Sequence, residues 1–140
     1  MKIWNEKSDE VSKGQKDKEK ARALLKLINL REKNITKFDK RDSSTLIIEV
    51  YYEIIKELIT AIMSVNGYKT TSHELLIGYL AEFHKDFSEF EINLIDNLRK
   101  IRNDIAYRGI IISPEYLDRN EKNLLKIIEK LKYLLNNKLK

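Results

Sequence analysis

The chain has 140 residues, enough for one ordinary domain with its own core, and a net charge of +5 from 27 basic and 22 acidic side chains. It has no cysteine, which excludes a disulfide framework, a thiolate metal site, a redox motif and a cysteine nucleophile. Four glycines and one proline are too few for the turns of an all-β fold, and no apolar run approaches the roughly 18–20 residues that span a bilayer. Leu, Ile, Lys and Glu are abundant, so the expected fold class is all-α.

Residues 1–15 carry few apolar groups besides Ile3, Trp4 and Val11, and are expected to form a mobile or loosely docked arm that Trp4 anchors. Residues 1–20 mix Lys, Glu and Asp where a secretory signal would be hydrophobic, which points to a cytoplasmic protein. Residues 16–140 are expected to make one helical-bundle domain. Its first helix runs from about Lys16 to Phe38, with Ala21, Leu24, Leu25, Ile28 and Ile35 at helical spacing. Residues 44–65 are apolar around more than half a helical circumference, so this second helix is central or also contacts a second subunit. Asn66-Gly67 closes it.

Thr71-Ser72-His73-Glu74 has the Thr-x-x-Glu form of a capping box and opens a third helix reaching about His84, with Leu76, Ile77, Leu80 and Phe83 inward. Ser88-Glu89-Phe90-Glu91 is a second such box and opens a fourth helix. After Gly109 and the apolar link Ile110-Ile111-Ile112, Ser113-Pro114 places a cap before a proline at the first helical position of a fifth. Five helices joined by short loops make a bundle.

The fourth helix ends in Arg99-Lys-Ile-Arg102-Asn103-Asp104-Ile-Ala-Tyr107-Arg108-Gly109, the densest polar chemistry in the chain. Leu94, Leu98, Ile101 and Ile105 mark its buried stripe; at roughly 100° per residue, Arg99, Asn103 and Tyr107 are expected on the opposite face and Arg102 at the stripe's edge. Net charge is +5 over residues 1–42, −6 over 43–98 and +6 over 99–140, so this helix end lies where the chain turns basic. Basic groups beside an exposed aromatic suit a polyanion such as RNA.

Other chemistry finds little support. His73 and His84 are 11 residues apart on one helix, about 16 Å, too far for two ligands of one ion, and no metal site is expected. There is no glycine-rich phosphate loop and no Gly-x-Ser-x-Gly. The helices carry many carboxylates and need their apolar faces for one another, which argues against a membrane-surface role.

The run Gly67-Tyr-Lys-Thr-Thr-Ser72-His73-Glu-Leu-Leu-Ile-Gly-Tyr79-Leu80, followed by Leu98-Arg-Lys-Ile-Arg102-Asn103-Asp-Ile-Ala-Tyr107-Arg-Gly109, resembles the HEPN superfamily of prokaryotic nucleotide- and RNA-handling helical domains. The resemblance covers roughly residues 16–136, and its most specific part is the Arg102-Asn103 pair. It implies an up-and-down bundle of four or five helices, paired as a homodimer whose Arg-Asn segments face a shared cleft. It further implies a minimal nucleotidyltransferase as partner, and many members are metal-independent ribonucleases acting as toxins in toxin–antitoxin pairs. No cofactor is implied.

In the nuclease members a histidine follows the arginine after four to six residues; here that position is Tyr107. Attack of a ribose 2′-OH on phosphorus needs a group that exchanges protons near neutral pH, which imidazole does at ~6.5 and a phenol at ~10 does poorly. The first reading is therefore a catalytically degenerate module that binds RNA, a nucleotide or the nucleotidyltransferase through Arg99, Arg102, Asn103, Tyr107 and Arg108. The second is a metal-independent endoribonuclease using Arg102, Asn103 and Tyr107, or with His73 or His84 from elsewhere in the dimer in the missing role. A third gives Arg99, Asn103 and Tyr107 only the packing of a symmetry mate.

Overall fold

In the computed structural model, which describes residues 1–140, the elements follow in the order β1 (Val11–Lys13), α1 (Lys18–Ile35), α2 (Ser44–Val65), β2 (Tyr68–Thr70), α3 (His73–Phe83), α4 (Glu89–Arg108) and α5 (Glu115–Leu139). The fold is an all-α helical bundle with one two-stranded ribbon. Its axis is α2, in which 15 of 22 residues are buried and which packs against all four other helices and β2. Apolar coating on more than half its circumference leaves α2 no stable position but the centre.

Polar side chains bind the surrounding helices to one another. Arg31 on α1 grips Glu57 on α2 through two bonds of 2.8 and 3.0 Å, the forked geometry that makes arginine–carboxylate pairs strong. The Tyr51 hydroxyl donates to Glu121 on α5 at 2.7 Å, and Lys130 on α5 reaches Glu91 on α4 at 2.8 Å. The link after α4 is stitched to the start of α2: Ser44 Oγ donates to the Ile112 carbonyl at 2.8 Å, and the Ile112 N–H donates to Thr45 Oγ1 at 2.9 Å.

Several local expectations meet a different outcome. The capping box at Ser88 forms, with Ser88 Oγ accepting the Glu91 N–H at 3.1 Å and Glu91 accepting the Ser88 N–H at 3.0 Å. The box expected at Thr71 does not: Ser72 is the cap, its Oγ accepting the Leu75 N–H at 3.3 Å. The helix therefore starts one residue later, and His73 becomes its first residue. Pro114 has helical dihedrals just before α5, while Ser113 Oγ accepts the Glu115 N–H at 3.3 Å.

The arm is docked, and it brings the ribbon that composition did not reveal. β1 pairs antiparallel with β2, Ser12 opposite Lys69, and the ribbon closes where the Gly14 N–H donates to the Gly67 carbonyl at 2.8 Å. Gly67 has φ +84°, and a Cβ there would meet the Gly14 oxygen at 2.5 Å, so this turn needs glycine. Trp4 is buried among Tyr68, Tyr79 and Phe83, with ring centroids 5.1–6.1 Å away. Gly78 lets the arm lie on α3, since a Cβ there would stand 2.5 Å from the Lys2 carbonyl oxygen.

Candidate nucleic-acid interface

The start of α3 and the C-terminal half of α4 enclose an open crevice of about 290 Å³. Thr71, Ser72, His73 and Glu74 form one wall, and Arg99, Arg102, Asn103 and Tyr107 the other. Four of the five residues picked from sequence thus share one concave surface. The fifth does not: Arg108 lies outside the lining, and its guanidinium pairs with Asp104 one turn back at 3.6 Å.

The environments of these four differ sharply. Tyr107 is 79% exposed, at the mouth of the crevice. Arg102 and Asn103 are half-buried, and Arg102 Nη2 stands 3.5 Å from Glu53 on α2. Arg99 departs from expectation, being buried at 9% exposure with its Nε donating to Asp96 at 3.0 Å. The cause is a second buried stripe on α4: Ile92, Ile95 and Arg99 recur at three and four residues, and α4 packs against α3 as well as α2. A helix wedged between two neighbours has no single opposite face. Burial pushes the Asp96 carboxyl up, but the bond from Arg99 and the nearby Lys100 outweigh it and hold the group below its ordinary value.

His73 stands at the N-terminus of α3, as its place in the sequence suggests, and the structure adds its approach to α4. It lines the crevice from the first turn of α3, and its Nδ1 lies 2.9 Å from the Tyr52 hydroxyl on α2. Burial, then the cations Lys56 and Arg102, hold the imidazole below its ordinary pKa, so it is neutral around pH 7. Tyr52 itself is 2% exposed, and burial raises its phenol well above the usual value. No local pattern signals this meeting, which depends on how α3 packs against α4.

His84 stands at the other end of α3, and no group of three or more His, Asp or Glu side chains gathers where a metal could be held. No helix is long and apolar enough to cross a membrane. The crevice therefore offers the Arg102 guanidinium, part-exposed and paired on one side with Glu53, an amide in Asn103, a neutral imidazole and an exposed phenol ring, beside the Glu74 carboxylate. Together these can hydrogen-bond and partly neutralise a phosphate while the ring stacks on a base. No protein-family model matches the chain, and no curated protein matches it.

Proposed function

We propose that this chain is a HEPN-like RNA- or nucleotide-binding module that acts as a homodimer alongside a minimal nucleotidyltransferase. In this reading the crevice between α3 and α4 takes a backbone phosphate against Arg102 and Asn103, and a flanking base stacks on Tyr107. The observation that carries it is the meeting of Arg102, Asn103 and Tyr107 in one concavity that also holds His73. A guanidinium suits phosphate because its fork presents several donors at once, and an exposed aromatic ring adds sequence-tolerant stacking. With a phenol at position 107, the motif on its own binds without turnover.

One observation favours the second reading, a metal-independent endoribonuclease acting as the toxin of a toxin–antitoxin pair. An imidazole, the group missing from position 107, lies in the same crevice as His73. The products distinguish the two. Mixed RNA incubated with the protein in EDTA stays intact under the binding reading, and salt-sensitive RNA affinity is lost in Arg102→Ala. Fragments ending in 2′,3′-cyclic phosphate that vanish in the same variant select the ribonuclease. Intact RNA with no affinity overturns both.

A further inference from the structure

The Tyr52 hydroxyl is buried, and its one hydrogen-bond partner is His73 Nδ1 at 2.9 Å. A phenol O–H sealed from water needs an acceptor for its hydrogen. If Nδ1 carried a proton, two donors would face each other unless the phenol turned its hydrogen away, and that hydrogen would then be buried without a partner. The arrangement that satisfies both groups has Tyr52 donating and Nδ1 accepting. The proton of neutral His73 then sits on Nε2, which makes no bond within the protein, is not among the buried unpartnered groups and belongs to a residue that lines the crevice.

We propose that Tyr52 is a positioning residue that fixes His73 as its Nε2–H tautomer, so that His73 gives the crevice a neutral N–H donor for a phosphodiester oxygen beside the cationic Arg102. The proposal rests on the RNA-binding reading above and adds how the anion is recognised. Charges around the ring agree with it. Lys56 on α2 and Arg99 and Arg102 on α4 oppose protonation, Glu53 on α2 favours it, and Glu74 on α3 lines the same crevice. Burial, the largest influence, acts with the three cations. His73 accordingly contributes a directed hydrogen bond, and Arg102 supplies the charge. Affinity for a phosphodiester, which itself stays singly ionised, should then hardly change with pH near neutrality.

Two measurements test this. Nitrogen-15 imidazole spectra of the free protein at pH 7 should show His73 protonated at Nε2 and bare at Nδ1. Affinity for a fluorescein-labelled single-stranded oligoribonucleotide should vary by less than about twofold between pH 6 and pH 8. His73→Ala should weaken it about tenfold, the usual effect of losing a hydrogen bond to a charged group, whereas His73→Gln, which keeps an N–H donor, should stay within about threefold of wild type. Tyr52→Phe, which removes the phenol hydrogen and little volume, should let part of the His73 protons move to Nδ1 in the spectrum and weaken binding severalfold, with no new pH dependence, because burial and the neighbouring cations still oppose protonation. A spectrum with the proton on Nδ1, or wild-type binding that itself tightens severalfold towards pH 6, overturns the inference. Failure of the wild type to bind RNA removes the underlying reading, while the spectrum still decides the tautomer.

Discussion

Two concavities in this molecule differ in a way that separates size from function. The larger, about 460 Å³, lies where the β-ribbon meets α1 and is lined by the turn glycines Gly14 and Gly67 with Lys13, Lys16 and Lys69. The smaller, about 290 Å³, is the crevice between α3 and α4. Lys16 and Lys69 make no ion pair and Lys13 lies over the Tyr68 ring at 5.3 Å, whereas in the crevice Tyr52 holds His73, Asp96 holds Arg99 and Glu53 stands by Arg102. Ordering a free lysine on binding loses its rotamer entropy, while a side chain already fixed by its neighbours loses little. Preorganisation marks the smaller hollow as the better site, and the lysine notch as a solvated turn.

The sharpest way to break this comparison is to remove the buried support of the crevice. Arg99→Ala leaves Asp96, which is 7% exposed, with only Lys100 at 3.5 Å as a partner, and should lower stability by about 2–3 kcal/mol in urea unfolding, a little under the cost of a fully orphaned buried charge. A loss near zero would mean that the crevice wall is not held by this pair. Second in size is Gly67→Ala, with a Cβ 2.5 Å from the Gly14 oxygen at φ +84°. It should destabilise by roughly 2 kcal/mol and open the ribbon to proteolysis, yet leave RNA affinity per folded molecule unaltered.

A smaller effect follows from pH. His73 and His84 are both held below 6.5 in the folded state, chiefly by burial, so the unfolded chain takes up protons first as pH drops. Stability is therefore fully present above pH 6.5 and lost as pH falls below it towards the folded values. The denaturation midpoint should be flat from pH 8 to 7 and fall between about 6.5 and 5, and a His73→Gln, His84→Gln double variant should remove that slope. Glu91 and Asp96, also held below their ordinary values, stabilise above the normal carboxylate range and lose that contribution only at more acid pH. Smallest of all, Tyr107→Ala at the exposed mouth should change stability by less than about 0.5 kcal/mol, so any loss of RNA affinity it causes reports on contact and not on folding.

Much of the architecture was legible because helical periodicity is a strong signal over long segments. The core residues of α2 and α5, the box at Ser88 and the stop at Gly109, which has φ +65°, all follow from local rules. What escaped depends on partners distant in sequence. Strands of three residues carry too little alternation to read, and β1 exists only because β2 and the Trp4 cluster receive it. A single apolar stripe makes Arg99 read as solvent-facing, although Ile92 and Ile95 share its side. The grouping of Arg102, Asn103 and Tyr107 came from spacing on one helix, whereas the entry of His73 depends on how α3 leans on α4.

The most direct test compares the two hollows by titrating labelled single-stranded RNA against wild type, Arg102→Ala and a Lys13→Ala, Lys16→Ala, Lys69→Ala variant at two salt concentrations. Binding in the crevice predicts a loss of about tenfold or more for Arg102→Ala, and for the triple lysine variant only a modest weakening that fades at the higher salt. Equal affinity of wild type and Arg102→Ala, with binding lost in the lysine variant, would contradict the account and move the site to the ribbon.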